Sequence, residues 1–293
     1  MSVPPLATIM IEPLVRAALL EDLGRAGDIT TDAIVPAEAR ANTALVAREP
    51  GVVAGLDLAL LAFKLVDPSI LARVKHADGS RISSGDVLAT VAGPARGILS
   101  GERVALNFLC HLSGVATATA SIVEALRGHR TRITCTRKTT PGLRAVQKYA
   151  VRVGGGANHR FGLDDAVLIK DNHIAVAGGI KPAVERARSA VGHLIKIEIE
   201  VDTLVQLDEA LAVGVDAVLL DNMAPDDLRR AVAVVAGRAV TEASGRITPA
   251  TAPMIAATGV DLISIGWLTH SSTALDIGLD HVDTRHGPSR PNC

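Results

Sequence analysis

The sequence predicts an α/β protein whose C-terminal half is a (β/α) barrel of parallel strands, and three observations carry that prediction. From Ile133 onward, short aliphatic runs recur with starts roughly 20 to 35 residues apart, a spacing that suits repeated βα units. Runs such as AVLLDN and DLISIG are unbroken, as strands buried on both faces require. Polar groups follow nearly every run: Arg137 and Lys138, Lys170 to Asn172, Glu198 and Glu200, Asp221 and Asn222, Glu242 to Gly245, and Gly266. An open sheet shares the periodicity, but in barrels catalytic groups converge at the C-terminal strand ends, and this pattern favours the barrel.

The elements follow in order. IEPLVRAALLEDLG has apolar positions at helical spacing and stops at Gly24, so it reads as an amphipathic helix. Asp28 to Thr31 breaks the pattern and reads as a loop. Between Thr43 and Val91 the runs TALVAREP, GVVAG and VLATVAG are β-like and surround one helical segment, Leu56 to Leu65, with Gly79, Gly85 and Gly93 as turns. Ser100 to Leu126 reads as a long helix with a possible kink near Gly114. The barrel strands are then Ile133–Thr136, Ala166–Lys170, Leu194–Glu200, Ala217–Asp221, Ala239–Ala243 and Leu262–Gly266. Ala274 to Asp280 reads as helical and able to cross back to the first domain. The predicted domains are residues 1–115, with 274–293 packing on them, and 116–273.

Composition bounds the function. At 293 residues with 48% apolar content, the chain can bury a sizeable core. Aromatics make up only 2%, so that core is aliphatic. Cys110, Cys135 and Cys293 are odd in number and widely spaced, which argues against a disulfide framework or a zinc site and for a reducing, cytoplasmic setting. No signal-peptide layout and no apolar run of about 18 residues is evident, so a soluble protein is expected. A net charge of -1 and a pI near 6.8 argue against a diffuse nucleic-acid surface.

The positive charge is instead concentrated. Thr136 to His173 holds Arg137, Lys138, Arg144, Lys148, Arg152, His159, Arg160 and Lys170, with Asp164 and Asp165 the only carboxylates before Lys170. From Glu198 to Asp227 the bias reverses, with nine carboxylates and no Lys or Arg, a natural place for a divalent cation. Together they point to a phosphorylated substrate. Arg137 and Arg160 suit planar carboxylates, because a guanidinium offers paired donors and stays charged when partly dehydrated. Lys138 and Lys170 fit either a pyrophosphate or a substrate carboxylate; Schiff-base lysines of an aldolase would occupy the same positions. Glu200 and Asp221 end consecutive strands and suit Mg²⁺ or ribose hydroxyls, with Glu198 on the same face as Glu200 by alternation. Ser244, Gly245 and Gly266 lie in the late loops where barrels bind phosphate through backbone N–H groups. The Gly154 to Gly156 run follows no strand and is not a dinucleotide fingerprint; it turns the chain so that His159 and Arg160 can face the pocket. His111, His129 and His193 read as surface or core histidines, and Trp267 as packing.

The segments EDLGRAGDITTDAI, SGERVALNFLCHLSGVAT, TRKTTPGLR, GGGANHRFGLDDAVLIKDNHI, IEIEV, DAVLLDNM, EASGRIT and GVDLISIGWLTHS, taken in this order along most of the chain, resemble the quinolinate phosphoribosyltransferase family. The resemblance implies an N-terminal α/β sandwich and a C-terminal incomplete (β/α) barrel of parallel strands. It implies a homodimer or an assembly of dimers, with Arg103 donated across the interface. It implies decarboxylating transfer from phosphoribosyl pyrophosphate to quinolinate with Mg²⁺. Under it Arg103, Arg137, His159 and Arg160 bind quinolinate, with Lys138 and Lys170 shared between quinolinate and the donor. Glu200 and Asp221 hold the ribose hydroxyls and metal, and Ser244, Gly245 and Gly266 the 5′-phosphate. The chain departs from the family pattern at Cys110-His111, where Gln-Arg is common, at Cys135, where Asp is common, and at Trp267, where a small residue is usual. A related enzyme acting on another aromatic acid, and a Schiff-base aldolase, are the competing readings.

Overall fold

The computed structural model describes residues 3–282; Cys293 and the last part of the 274–293 segment lie outside them. The chain divides into two compact units, one of residues 3–118, 145–154 and 272–282, the other of Thr119–Arg144 and Gly155–Ser271.

In the first unit α1 (Thr8–Leu23) buries Ile11, Val15 and Leu19, one apolar stripe at four-residue spacing, and ends at Gly24. The stretch expected as a loop instead opens a helix, α2 (Ile29–Ile34). Asp28 caps it by accepting the Thr31 backbone N–H at 2.9 Å, satisfying a donor that the first turn leaves free. There follow β1 (Arg40–Ala47), β2 (Gly51–Val52), α3 (Leu56–Val66), β3 (Leu71–Val74), β4 (Arg81–Ile82) and β5 (Val87–Pro94). Of these, β3 and β4 had no signal in the sequence: β3 is exposed along its length and β4 has two residues.

The long helix α4 (Ala95–Ala125) is unbroken at Gly114. That glycine serves a close approach, because a Cβ there would lie 2.1 Å from the Thr273 carbonyl oxygen. By length and composition α4 could cross a membrane, which the sequence reading did not anticipate; 61% of its most apolar stretch is buried inside the protein, as in a core helix. Helix α5 (Arg144–Val153) lies between two barrel strands in sequence, yet from Ala145 it belongs to the first unit. It is buried over Val146, Gln147, Lys148, Tyr149, Ala150 and Val151. Its polar groups are held: the Tyr149 hydroxyl donates to Asp78 at 2.8 Å, and Asp78 also accepts the Gly55 and Leu56 N–H groups at the start of α3.

The segment expected to be helical near the C-terminus is a strand, Ile277–His281. It pairs antiparallel with β1, from Ala47 opposite Ile277 to Thr43 opposite His281. Five residues are too few to separate helical from strand periodicity, and the open edge of β1 decides the outcome through the hydrogen bonds it offers. The resulting antiparallel sheet has the order Ile277–His281, β1, β5, β3.

The second unit contains β6 (Arg132–Thr134), β7 (Val167–Ile169), α6 (Asp171–Ala177), α7 (Ile180–Ala190), β8 (Ile197–Val201), α8 (Leu204–Val213), β9 (Ala217–Asp221), α9 (Pro225–Val235), β10 (Val240–Ser244), α10 (Ala252–Ala256), β11 (Leu262–Ser264) and α11 (Trp267–His270), leaving Ile277–His281 as β12. All six predicted strands are present, in one parallel sheet of order β6-β11-β10-β9-β8-β7. The last strand pairs with the first, as in a barrel, and the two edges, β6 and β7, are consecutive in the chain. Beside β6 runs the segment after α5: Ala157 donates to the Ile133 carbonyl at 2.7 Å and accepts from Cys135 at 3.2 Å. The glycine run therefore delivers His159 and Arg160 to the C-terminal end of the sheet.

Candidate active site

The strand ends surround a cavity of ≈ 590 Å³. Of the residues singled out in the sequence, Arg137, Lys138, His159, Arg160, Lys170, Glu200, Asp221, Ser244 and Gly245 all line it. Gly266 does not line it but lies against Lys138, where a Cβ would stand 2.9 Å from the lysine Cδ. Arg103 is an exposed residue of α4 in the first unit and is not among the lining residues. Lys148 and Arg152, part of the basic stretch, also belong to the first unit on α5, and Lys148 is fully buried there.

On β8 the sequence Ile197-Glu198-Ile199-Glu200-Val201 alternates buried apolar and half-buried acidic residues, so both glutamates point to the cavity side of the strand. Glu200 accepts a hydrogen bond from Lys170 Nζ at 2.9 Å. Glu198 instead faces His159, with 2.9 Å between Glu198 Oε2 and His159 Nε2. Glu242 Oε1 lies 3.7 Å from the same nitrogen. The other ring nitrogen, Nδ1, accepts the Arg160 backbone N–H at 2.8 Å. An accepting Nδ1 places the proton of a neutral imidazole on Nε2, directed at the carboxylates. The three side chains have ligand atoms within 4.8 Å of one another, and an Nε2–H directed at the carboxylates accounts for the cluster through hydrogen bonding.

Two guanidiniums, Arg137 and Arg160, meet near this cluster. Burial and the neighbouring Arg137 charge both lower the Arg160 pKa, while Arg160 Nη1 donates to the Ala166 carbonyl at 2.9 Å. Arg137 Nε is buried and has no hydrogen-bond partner. Two like charges held together with a dry, unsatisfied donor cost free energy that an anion would recover.

At the far end Asp221, Asn222, Ser244 and Gly245 form one corner. Asn222 Nδ2 donates to Asp221 Oδ2 at 2.6 Å, and the Asn222 backbone N–H donates to the Ser244 carbonyl at 3.0 Å. Gly245 has φ +107°, and a Cβ on it would collide with Asn222 Oδ1 at 2.1 Å, so this turn needs glycine. Trp267 braces the same loop by donating from Nε1 to the Ile247 carbonyl at 2.8 Å. It is therefore a packing residue with a polar anchor.

Sequence reasoning placed Glu242 and Asn222 at strand ends and Arg246 in the phosphate turn with Ser244 and Gly245, without a role for any of the three, and passed over Ser264; all four line the cavity. The alternation that pairs Glu198 with Glu200 applies equally to Glu242 and Ser244, and it is the signal that would have found the first of these. Glu242 is 2% exposed. Burial, then the charge of Glu198, raises its pKa to about 7 against the opposing effects of His159 and a hydrogen bond with Ser264. At the first departure from the family pattern, His111 meets Gln147 at 2.8 Å and burial lowers its pKa, which favours the neutral imidazole. Cys135 is buried, with its thiol 3.4 Å from Asn158 Oδ1.

Comparison with known proteins is consistent along the chain. Residues 28–113 match the N-terminal domain of quinolinate phosphoribosyl transferase, and residues 115–280 match its C-terminal domain. The chain is 48% identical over 273 residues to a nicotinate-nucleotide pyrophosphorylase [carboxylating] of Mycobacterium leprae, covering 91% of this chain and 95% of the relative. It is 44% identical over 272 residues to a probable enzyme of the same name from Bacillus subtilis, with 93% of each covered. The crystal structure of NadC from Streptococcus pyogenes superposes with a TM-score of 0.92 at 42% identity, covering 96% of this chain and 100% of that one.

Proposed function

Since the chain belongs to the quinolinate phosphoribosyl transferase family, we infer how its cavity performs the family's chemistry. The protein is a carboxylating nicotinate-nucleotide pyrophosphorylase. It converts quinolinate and phosphoribosyl pyrophosphate into nicotinate mononucleotide, pyrophosphate and CO2, a step of de novo NAD synthesis.

The observation that carries the assignment of roles is the Arg137 and Arg160 pair, with its buried, unpaired Nε on Arg137. We assign these two guanidiniums to the carboxylates of quinolinate, with Arg103 supplied by the partner subunit of a homodimer. His159 stands beside them, but both its nitrogens are engaged, so it orients Glu198 and the Arg160 backbone more readily than it carries charge to the substrate. Lys138 and Lys170 face the phosphates of the donor, and the Ser244 and Gly245 turn, with Gly266 behind Lys138, receives its 5′-phosphate.

Glu200 of β8 and Asp221 at the end of the neighbouring strand β9 both line the cavity, and their carboxylates are a donor set that fits Mg²⁺ and the ribose hydroxyls. When bound there, Mg²⁺ would supply charge neutralisation for the departing pyrophosphate. As that group leaves, positive charge grows on the sugar, and Glu200 is placed to stabilise it. After the pyridine nitrogen is ribosylated its charge draws in the electrons released by the adjacent carboxylate, so no strong base is needed. A cytoplasmic location accords with the free thiols of Cys110 and Cys135.

The test is direct. Incubated with phosphoribosyl pyrophosphate and Mg²⁺, the protein should form nicotinate mononucleotide and CO2 from quinolinate and nothing from nicotinate. Product from nicotinate, or from neither acid, would overturn the diacid assignment.

A further inference from the structure

Glu242 is the one carboxyl of the cavity wall that the roles above leave idle. It sits on β10 with Leu219 of β9 and Leu262 of β11 as its register neighbours. Its Oε1 is buried and makes no hydrogen bond, while the Ser264 hydroxyl bonds to the carboxyl. Among the described residues the charged or titratable groups that act on it are Glu198 of β8 and His159 of the 155–160 segment. The imidazole Nε2–H is directed at Glu198, at 2.9 Å, and stands 3.7 Å from Glu242. The N–H is thus taken up by Glu198, and Glu242, left without it, is relieved of its burial cost if it is neutral.

The reaction creates a need that a neutral carboxyl meets. When the C2 carboxylate leaves as CO2, the carbon–carbon bond breaks and its electron pair stays on C2 beside the cationic ring nitrogen. The product carries hydrogen at that carbon, so one proton must arrive. We propose that Glu242 is the catalytic acid that supplies this proton: its O–H bond breaks, a C2–H bond forms, and the resulting carboxylate recovers a proton from water after product release. The inference rests on the decarboxylating reading of the same cavity. Its geometry is that of a buried acid in the cavity wall, beside His159 and the segment that carries Arg160, one of the two guanidiniums assigned to the quinolinate carboxylates.

Rapid-quench single turnovers that follow pyrophosphate and CO2 separately test this. Glu242→Gln keeps the shape of the side chain and removes the acid. Pyrophosphate release should stay within about threefold of wild type, while CO2 and nicotinate mononucleotide formation fall about a hundredfold, the scale of a lost general acid. The ribosylated diacid then accumulates. In the wild type, CO2 formation should decline as pH rises through about 7 while pyrophosphate release does not, a split that can be read even if the variant fails to fold. Equal losses of pyrophosphate and CO2 in a folded variant, or a wild-type CO2 step indifferent to pH in that range, would overturn the proposal. Absence of any CO2 from wild type would instead strike the decarboxylating reading itself.

Discussion

Lys170 and Glu200 form a direct ion pair across the ends of β7 and β8, with 2.9 Å between Nζ and Oε2. The lysine is assigned to the phosphates and the glutamate to the ribose and metal, so each occupies the other until the donor arrives. Lys170 is nearly half exposed and Glu200 is 16% exposed, so the pair contributes little stability in water. It does hold both side chains out of alternative rotamers.

Glu200→Ala should therefore lower kcat/KM for phosphoribosyl pyrophosphate by ten- to a hundredfold, the range of about 1.5–3 kcal/mol for a lost charge-assisted hydrogen bond. It should also raise the Mg²⁺ concentration needed for half-maximal rate. Quinolinate affinity, measured by calorimetry, should change less than twofold. A larger loss for quinolinate than for the donor would remove Glu200 from the ribose end.

Arg137→Ala removes a donor whose Nε is buried and waiting for a partner. Quinolinate binding should weaken about thirtyfold or more, matching the cost of about 2 kcal/mol or more for truncating a desolvated charged contact. Donor binding should be far less affected. Equal losses for both ligands would contradict the carboxylate assignment.

Gly114→Ala places a methyl group 2.1 Å from the Thr273 carbonyl oxygen, where the obstacle is backbone and cannot swing aside. Overpacking of this kind costs about 1–3 kcal/mol. Thermal unfolding should begin several degrees lower, on the order of 3–10 °C, with the strand ends of the cavity unaltered and KM values near those of wild type.

Asp28 predicts a pH dependence of stability. Hydrogen bonds from Thr31, first of all, hold its pKa below the ordinary 3.8. A depressed folded-state pKa means the carboxylate stabilises the fold above the unfolded value, and the contribution fades as pH falls through the folded one. The residue is only partly buried, and the remaining exposure limits the effect. Asp28→Ala should cost at most about 1 kcal/mol at pH 7 in denaturant melts, and the difference from wild type should vanish at the acid end. A difference that persists at low pH would mean that the loss is not electrostatic.

Much of this architecture can be read from the chain, and the exceptions share a physical cause. Among the barrel strands β9 is an aliphatic run buried over Val218, Leu219 and Leu220, and burial of that kind leaves a clear trace in composition, while β8 shows itself by alternation of buried apolar and half-buried acidic residues. The elements that escaped, β3, β4 and β12, are short or exposed, and pairing with a neighbour rather than their own pattern makes them strands. Helix α2 escaped because a single capping bond turns a polar stretch into a helical one. In the site the strand-end residues were found because chain position fixed their direction. Lys148 shows the limit of charge counting: it lies among the basic residues in sequence but is buried on α5 in the other unit. Glu242 shows the converse, since alternation on β10 turns it toward the cavity but does not reveal that it is 2% exposed.

The pairing of β1 with β12 carries a consequence for how the protein is made. Residues 40–47 leave the ribosome long before their partner at 277–281. Helix α5 of the same unit arrives in between, after barrel residues have already appeared. The N-terminal sheet thus waits, with one edge of β1 open, for most of the elongation time. Translation speed and chaperone access, as much as equilibrium stability, should then govern the yield of native enzyme, and truncation just before Ile277 should harm the part of the protein synthesised first.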